Sequence, residues 1–436
     1  MNPVDSGWLR AYMIYRSRRW KNHEPPVAVE VLKQYASPYQ YLYYLLQPTG
    51  LMYGYPVRFI EDPHPQIEEW SEKDKLKVLL AEAFIDLGLY YYQREEESLY
   101  QYMKRIVADV LEFYKEHYKL YSKYPLKTLK KKGNPIKQLE YVMDKRINND
   151  YDWRNIWATF FHNSLLFFDL IYFVKWKEGE NIFAEEGPSK LRIDTRANIL
   201  RVIAAAAHSD QLITPFESEL FYFFLHSASL PAPQKRQAEA AFKKGIELND
   251  IDLSGFTSWI LKKYHLELAI LTTYVKQKVS PEEYAFLQHF SDKLGLGEEE
   301  LHLSMSNIEN FVKESWEEVH YLQIKQNYRF VSEQFIRRMR ILVRKNQRMI
   351  REEIEESREL VHLLRQSRQR ELTPYEWEKI RQQLLDILRS IPAFAIFMMP
   401  LGSITLPILL RIVPKSMLIP SSFRENQTRY PSEDSE

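Results

Sequence analysis

The chain has 436 residues, with 60 Lys and Arg against 59 Asp and Glu for a net charge of +1, 12 glycines and no cysteine. At roughly 150 residues per domain it exceeds one small domain, and its glycine content, less than half the usual share of about 7%, disfavours nucleotide-binding α/β folds, as does the lack of any GxGxxG or Walker-type phosphate loop. Without thiols there are no disulfides, thiolate metal sites or cysteine nucleophiles, and the charge balance leaves any charged partner to a local patch, with no DNA partner expected.

An all-α, multi-domain protein is expected, because Leu, Glu, Lys, Arg and Gln dominate. Residues 1–187 read as a Tyr- and Phe-rich helical domain. Met1 to Asn22 is charged throughout and lacks the apolar run of a secretory signal, so the bulk of the chain is expected to face the cytoplasm. Leu76, Leu79, Leu80 and Phe84 predict an amphipathic helix over Glu69–Leu87. Met103, Ile106, Val107, Val110, Leu111, Phe113 and Tyr114 predict a second over Arg94–Tyr121. Lys127, Lys130, Lys131 and Lys132 beside Gly133-Asn134-Pro135 read as an exposed loop. Ile156 to Val174 is apolar nearly all round with Asp169 near its middle. A carboxylate is costly in lipid, so this run is expected to be a domain core helix rather than a membrane span. Lys175 to Lys190 reads as a linker.

Residues 191–304 read as a helical bundle with an internal near-repeat. Ala204 to Leu225 is echoed by Ile270 to Phe290, each with a Ser/Thr-Pro pair (Thr214-Pro215, Ser280-Pro281) opening an acidic helix. This pattern and the ending Lys293 to Leu301 resemble the TerB (tellurite-resistance)-like helical domain. The resemblance implies an acidic surface for a divalent cation, on which Asp210 and Glu217 are the matching residues. Lys276 takes the aspartate's place in the second repeat, where Glu283 remains, and Gln211 replaces a glycine. The same glutamates also suit the first turn of their helices. His208 lies near this set and equally suits a helix end. Asp250 to Leu261 opens like an EF-hand loop, but Leu261 occupies the closing ligand position, so no calcium site is expected there. No HExxH or GxSxG motif occurs, and neither a catalytic residue nor a further cofactor is expected.

From Met305 to Arg370 the chain lacks proline and glycine, and of the nine positions 336, 339, 343, 346, 350, 354, 357, 361 and 364, whose mean spacing is 3.5, seven are apolar (Ile336, Met339, Val343, Ile350, Ile354, Val361 and Leu364). That is the coiled-coil value, so a long charged helix or coiled coil over 305–370 is expected to pack along a partner, whether its own chain or another. Its first half carries a basic patch of Arg337, Arg338, Arg340, Arg344, Lys345, Arg348 and Arg351, followed by Glu352, Glu353, Glu355 and Glu356. Such blocks read as solvated faces or as contacts for anionic lipid or ribosomal RNA.

Between Arg389 and Arg411 lie 21 uncharged residues, long enough as a helix to cross a bilayer core of about 30 Å. Pro392, Pro400 and Pro407 interrupt them. Neighbouring helices in a membrane re-satisfy the carbonyls that proline frees, so a candidate span is placed at 390–410, with a buried hairpin as the alternative.

Residues 371–423 resemble the membrane-spanning signature of the LETM (leucine zipper and EF-hand-containing transmembrane) family. Thr373, Glu376, Arg389, Pro392, Phe397, Pro400, Pro407, Arg411, Pro414, Met417, Leu418, Pro420, Ser421, Ser422 and Phe423 match its pattern. The resemblance implies membrane lipid as a partner and a link to cation homeostasis. Ser403 stands where the family has an ionisable glutamate, and Ile419 is an insertion. Only 13 residues follow Phe423, so residues 424–436 read as a polar tail in place of the family's ribosome-binding domain. The expected function is a non-enzymatic membrane scaffold linked to cation homeostasis or envelope stress, working as a homo-oligomer or with a protein partner, because one span without a buried charge forms no pore alone. The alternatives are a cation/proton transporter component and a ribosome-binding membrane tether acting through the basic patch.

Overall fold

A computed structural model describes residues 1–22, 37–54, 58–60, 64–92, 98–121, 133–147, 156–180, 187–210, 213–228, 230–253, 256, 258–273, 279–314, 340–341, 343–370, 372–390 and 413. Every regular element among them is a helix.

The N-terminal part is built from α1 (Trp8–Asn22), α2 (Pro38–Leu46), α3 (Glu72–Tyr91), α4 (Leu99–Tyr121), α5 (Pro135–Ile147) and α6 (Ile156–Lys177). The two amphipathic helices expected from the leucine spacing form as α3 and α4 and pack together. Their approach is close at Gly88, where an added Cβ would run into the side chain of buried Ile106. The first amides of α1 have no partner within the helix. The Glu140 carboxylate of α5 accepts from them, at 2.7 Å from the Gly7 N–H and 3.2 Å from the Leu9 N–H. The apolar run expected to be a core helix is α6, and Leu166 to Val174 are buried in the helical body. Asp169 is fully buried and is matched by Arg146 of α5 at 2.7 Å and by the Tyr114 hydroxyl of α4 at 3.1 Å. Its charge is therefore paired inside the protein.

The second part comprises α7 (Gly187–Ala207), α8 (Pro215–Ser227), α9 (Ala232–Lys244), α10 (Trp259–Thr273), α11 (Pro281–Lys293) and α12 (Gly297–Glu314). The linker expected over Lys175–Lys190 is shorter than its composition suggested, since α6 runs to Lys177 and α7 starts at Gly187. Helix α10 packs against α7, α11 and α12 and also against α2 of the N-terminal part. Helix α6 likewise touches both α2 and α8. Shared burial on two sides matches the unbroken burial of α10 from Lys263 to Thr273, polar residues included.

Both Ser/Thr-Pro pairs open their helices as the near-repeat predicts. Thr214 and Glu217 form a reciprocal capping box at α8, and Ser280 and Glu283 form its counterpart at α11. Each satisfies amides that the helix itself leaves without partners.

The single long helix expected over 305–370 does not form. Helix α12 ends at Glu314, residues 315–339 lie outside the described residues, and the following chain divides into α13 (Gln347–Glu356), α14 (Arg358–Gln369) and α15 (Pro374–Ser390). The break falls at Ser357, whose backbone leaves the helical region (φ −78°, ψ 93°) and whose hydroxyl accepts from the Leu360 N–H. Past it the apolar register shifts by one residue: Val343, Ile350 and Ile354 are buried before the break, and Leu360, Leu363 and Leu364 after it, while Val361 is partly exposed. The partner of the apolar stripe is this chain itself, because both α13 and α14 pack on α15, whose Ile380, Leu384, Leu385 and Leu388 are buried.

Candidate functional site

Helices α13 to α15 lead directly into the uncharged segment that follows Arg389. The Thr373/Glu376 pair opens α15. The Glu376 carboxylate accepts from the Thr373 N–H at 2.8 Å and its hydroxyl at 2.9 Å, while the Thr373 hydroxyl accepts from the Glu376 N–H at 3.3 Å. Arg370 grips the same carboxylate with both guanidinium nitrogens, one at 3.0 Å from Oε2. The Arg370 contact first, then the Thr373 amide, holds the Glu376 carboxyl down to about 2. Hydrogen bonds to the charged form favour it.

A second set of contacts ties α15 to α14. Lys379 donates to Glu359 at 2.6 Å, and the Ser357 hydroxyl donates to Gln383 at 2.9 Å. The residue that breaks the long helix thus also anchors it to the third helix. Together these contacts fix the direction in which α15 delivers the chain at Ser390.

The basic patch is partly visible. Arg337 and Arg338 lie outside the described residues. Arg344, Lys345 and Arg348 are exposed, and Arg351 is half-buried. Arg348 pairs with Glu352 at 2.8 Å one turn further on. Cations precede α13 and occupy its first turns, and Glu352, Glu353, Glu355 and Glu356 occupy its last turns. This polarity opposes the helix dipole. The membrane-segment residues Pro392, Pro400, Ser403, Pro407, Arg411, Pro414 and Pro420 lie outside the described residues. No helix of the described residues is long and apolar enough to cross a membrane.

The acidic surface implied by the TerB-like resemblance meets a different arrangement. Glu217 is fully buried and its carboxylate serves the cap of α8, while Asp210 lies in the turn that ends α7. Among the described residues no group of three or more His, Asp or Glu could hold a metal ion. His208 follows the last residue of α7, with Nε2 at 2.6 Å from the Phe242 carbonyl. It is a helix-end residue.

Sequence reasoning missed a buried polar network between the two parts of the body. Glu267 of α10 is fully buried and accepts from the hydroxyls of Tyr43 and Tyr53, the latter at 2.6 Å. Asn307 of α12 donates to the Tyr43 oxygen at 2.6 Å, and Gln47 donates to the Tyr53 oxygen at 3.2 Å. Lys263, one turn before Glu267, is also fully buried and donates to Ser304 and, at 2.9 Å, to Glu300. Its ammonium lies 5.4 Å from the Tyr43 ring and 5.7 Å from that of Trp259. Burial pushes the Glu267 carboxyl up, against the lowering effect of Lys263 and the donated hydrogen bonds. The available signal was a lone glutamate within the apolar run Leu266 to Leu271; its tyrosine partners had none.

The fold and this site describe an all-helical protein whose capped terminal helix leads into an uncharged, proline-containing segment. Residues 372–435 match the family described as LETM1-like, RBD. The match begins one residue before the Thr373 cap and extends past Phe423, so it takes in the stretch read as a polar tail. The C-terminal segment is LETM-like; the TerB-like resemblance of residues 196–303 rests on its motifs alone. No curated protein and no solved structure matches the chain.

Proposed function

We propose that this protein is a non-enzymatic membrane scaffold of the LETM-like class, which holds its helical body at a membrane face and contributes to cation homeostasis. The observation that carries the reading is the LETM1-like match over residues 372–435, which encloses the uncharged stretch 390–410. The capped and cross-tied α15 supports it, because a rigid helix entering an apolar segment sets the body's position relative to the bilayer. Ser403 stands where the family's signature has an ionisable group. An intramembrane carboxylate is the usual means of moving cations, so anchoring is favoured over transport.

Alkaline carbonate washing of membranes tests this reading, comparing the full chain with variants carrying Ile404→Asp or Leu406→Asp. The wild type is expected to resist extraction and the charged variants to wash off. Extraction of all three would end the reading. A second reading, a ribosome-binding tether, is supported by the family description of the same segment and by the exposed cations Arg344 and Lys345 upstream of it. It requires cosedimentation with ribosomes that falls steeply with salt.

A further inference from the structure

Helix α13 has one side in the protein and one side in solvent, and the exposed side has an internal symmetry. Ile350 and Ile354 mark the buried side. Arg344, Lys345 and Arg348 are exposed along the beginning of this stretch, and Glu352, Glu355 and Glu356 along its end. Arg348 and Glu352, Lys345 and Glu355, and Arg344 and Glu356 are each placed symmetrically about position 350. Arg348, Glu352, Glu355 and Glu356 lie on α13, and Arg344 and Lys345 precede it across the non-helical Asn346; at about 1.5 Å per residue the helical part of the array is about 12 Å long. Met349 lies beside its centre and is 47% exposed.

A surface that is basic on one side of a point and equally acidic on the other is complementary to itself when reversed. We propose that a second copy of this chain packs antiparallel along the outer side of α13, related by a two-fold axis at position 350. Arg344 and Lys345 then face Glu356 and Glu355 of the other copy, the Arg348–Glu352 pair within each helix lies against its counterpart, and every contact occurs twice, as an isologous interface requires. The two Met349 side chains meet at one edge of the contact and supply its apolar part. A parallel arrangement would set like charges against like and is excluded by repulsion. The reversed polarity of α13, unfavourable for an isolated helix, has a use here because each acidic end is covered by cations. The apolar stripe that a coiled coil would use is occupied by α15, so self-association falls to the opposite, charged side. The pairing does not depend on membrane anchoring.

The test is sedimentation equilibrium of the full chain in density-matched detergent. The wild type is expected at twice the 52.4 kDa chain mass in low salt and at the single-chain mass at about 1 M salt, where the screening length falls to about 3 Å. Arg344→Glu/Lys345→Glu/Arg348→Glu and Glu352→Lys/Glu355→Lys/Glu356→Lys are each expected to sediment as single chains in low salt. Their equimolar mixture is expected to regain the two-chain mass. Because the chain has no cysteine, Met349→Cys gives a unique reporter that a short thiol cross-linker should join into a covalent dimer. A wild type that is monomeric in low salt, reversed variants that keep the wild-type mass, or a mixture that stays at the single-chain mass would each overturn the proposal. Reversed variants that lose binding to anionic vesicles or ribosomes without a change of mass would overturn it as well and assign the surface to that partner.

Discussion

Tyr43 and Glu267 are 224 residues apart and share a buried hydrogen bond. It joins the second helix of the N-terminal part to the central helix of the bundle, and with Tyr53 and Asn307 it turns the boundary between them into a polar joint. A buried carboxylate held by two hydroxyls is costly to disturb in one direction only, because truncating it strands its donors away from water.

Glu267→Ala is accordingly expected to destabilise the protein by about 1–3 kcal/mol, with Glu267→Gln costing less because the amide oxygen still accepts one hydroxyl. The pH dependence distinguishes them further. The folded-state carboxyl of Glu267 titrates above its unfolded value, so its contribution is fully present below the unfolded pKa and is lost as the pH rises through the folded one. Denaturant titrations from pH 4.5 upward should show a fall in wild-type stability that the Gln variant lacks. Parallel curves would refute the assignment.

The cap of α15 works with the opposite sign. Glu376 is held down to about 2 by Arg370 and Thr373, so what it contributes is present above the unfolded carboxyl value and is lost as the pH falls toward 2. Amide exchange in the first turn of α15 is expected to accelerate over that acid range. Arg370→Ala should move the onset to higher pH, and an unchanged onset would show that the guanidinium does not hold the carboxylate.

Gly88 of α3 lies close against Ile106 of α4. Gly88→Ala would place a methyl group against Ile106, and overpacking of this kind costs about 1–3 kcal/mol in a well-filled core. A thermal midpoint equal to that of the wild type would mean that the two helices can separate there freely.

At the start of α8, Thr214 and Glu217 form a cap. Thr214→Ala is expected to cost about 1 kcal/mol. Saturating magnesium or calcium should leave the midpoint of wild type and variant unchanged. A metal-dependent rise that disappears with Glu217→Gln would restore the acidic surface implied by the TerB-like resemblance.

The legible features were those written in neighbouring residues. The spacing of Leu76, Leu79, Leu80 and Phe84 defined α3, and the Ser/Thr-Pro pairs marked the starts of α8 and α11, because caps and amphipathic periods act within four residues. The Thr373/Glu376 pair was visible as part of the LETM-like motif for the same reason. The long helix was misread at Ser357. Propensity there favours continuation, and what ends the helix is a hydroxyl that accepts from Leu360 and donates to Gln383 on another helix.

The sequence by itself determined the all-helical class, the core character of the apolar helix around Asp169 and the LETM-like character of the C-terminal segment, since these follow from composition, local period and motif. Only the tertiary structure decided that Arg146 and Tyr114 satisfy Asp169, that Tyr43 and Tyr53 meet Glu267, and that the apolar stripe of α13 and α14 faces α15 and leaves the charged side outward. Burial and long-range pairing depend on which surfaces come together when the chain closes, and no short stretch of sequence contains both sides of such a contact.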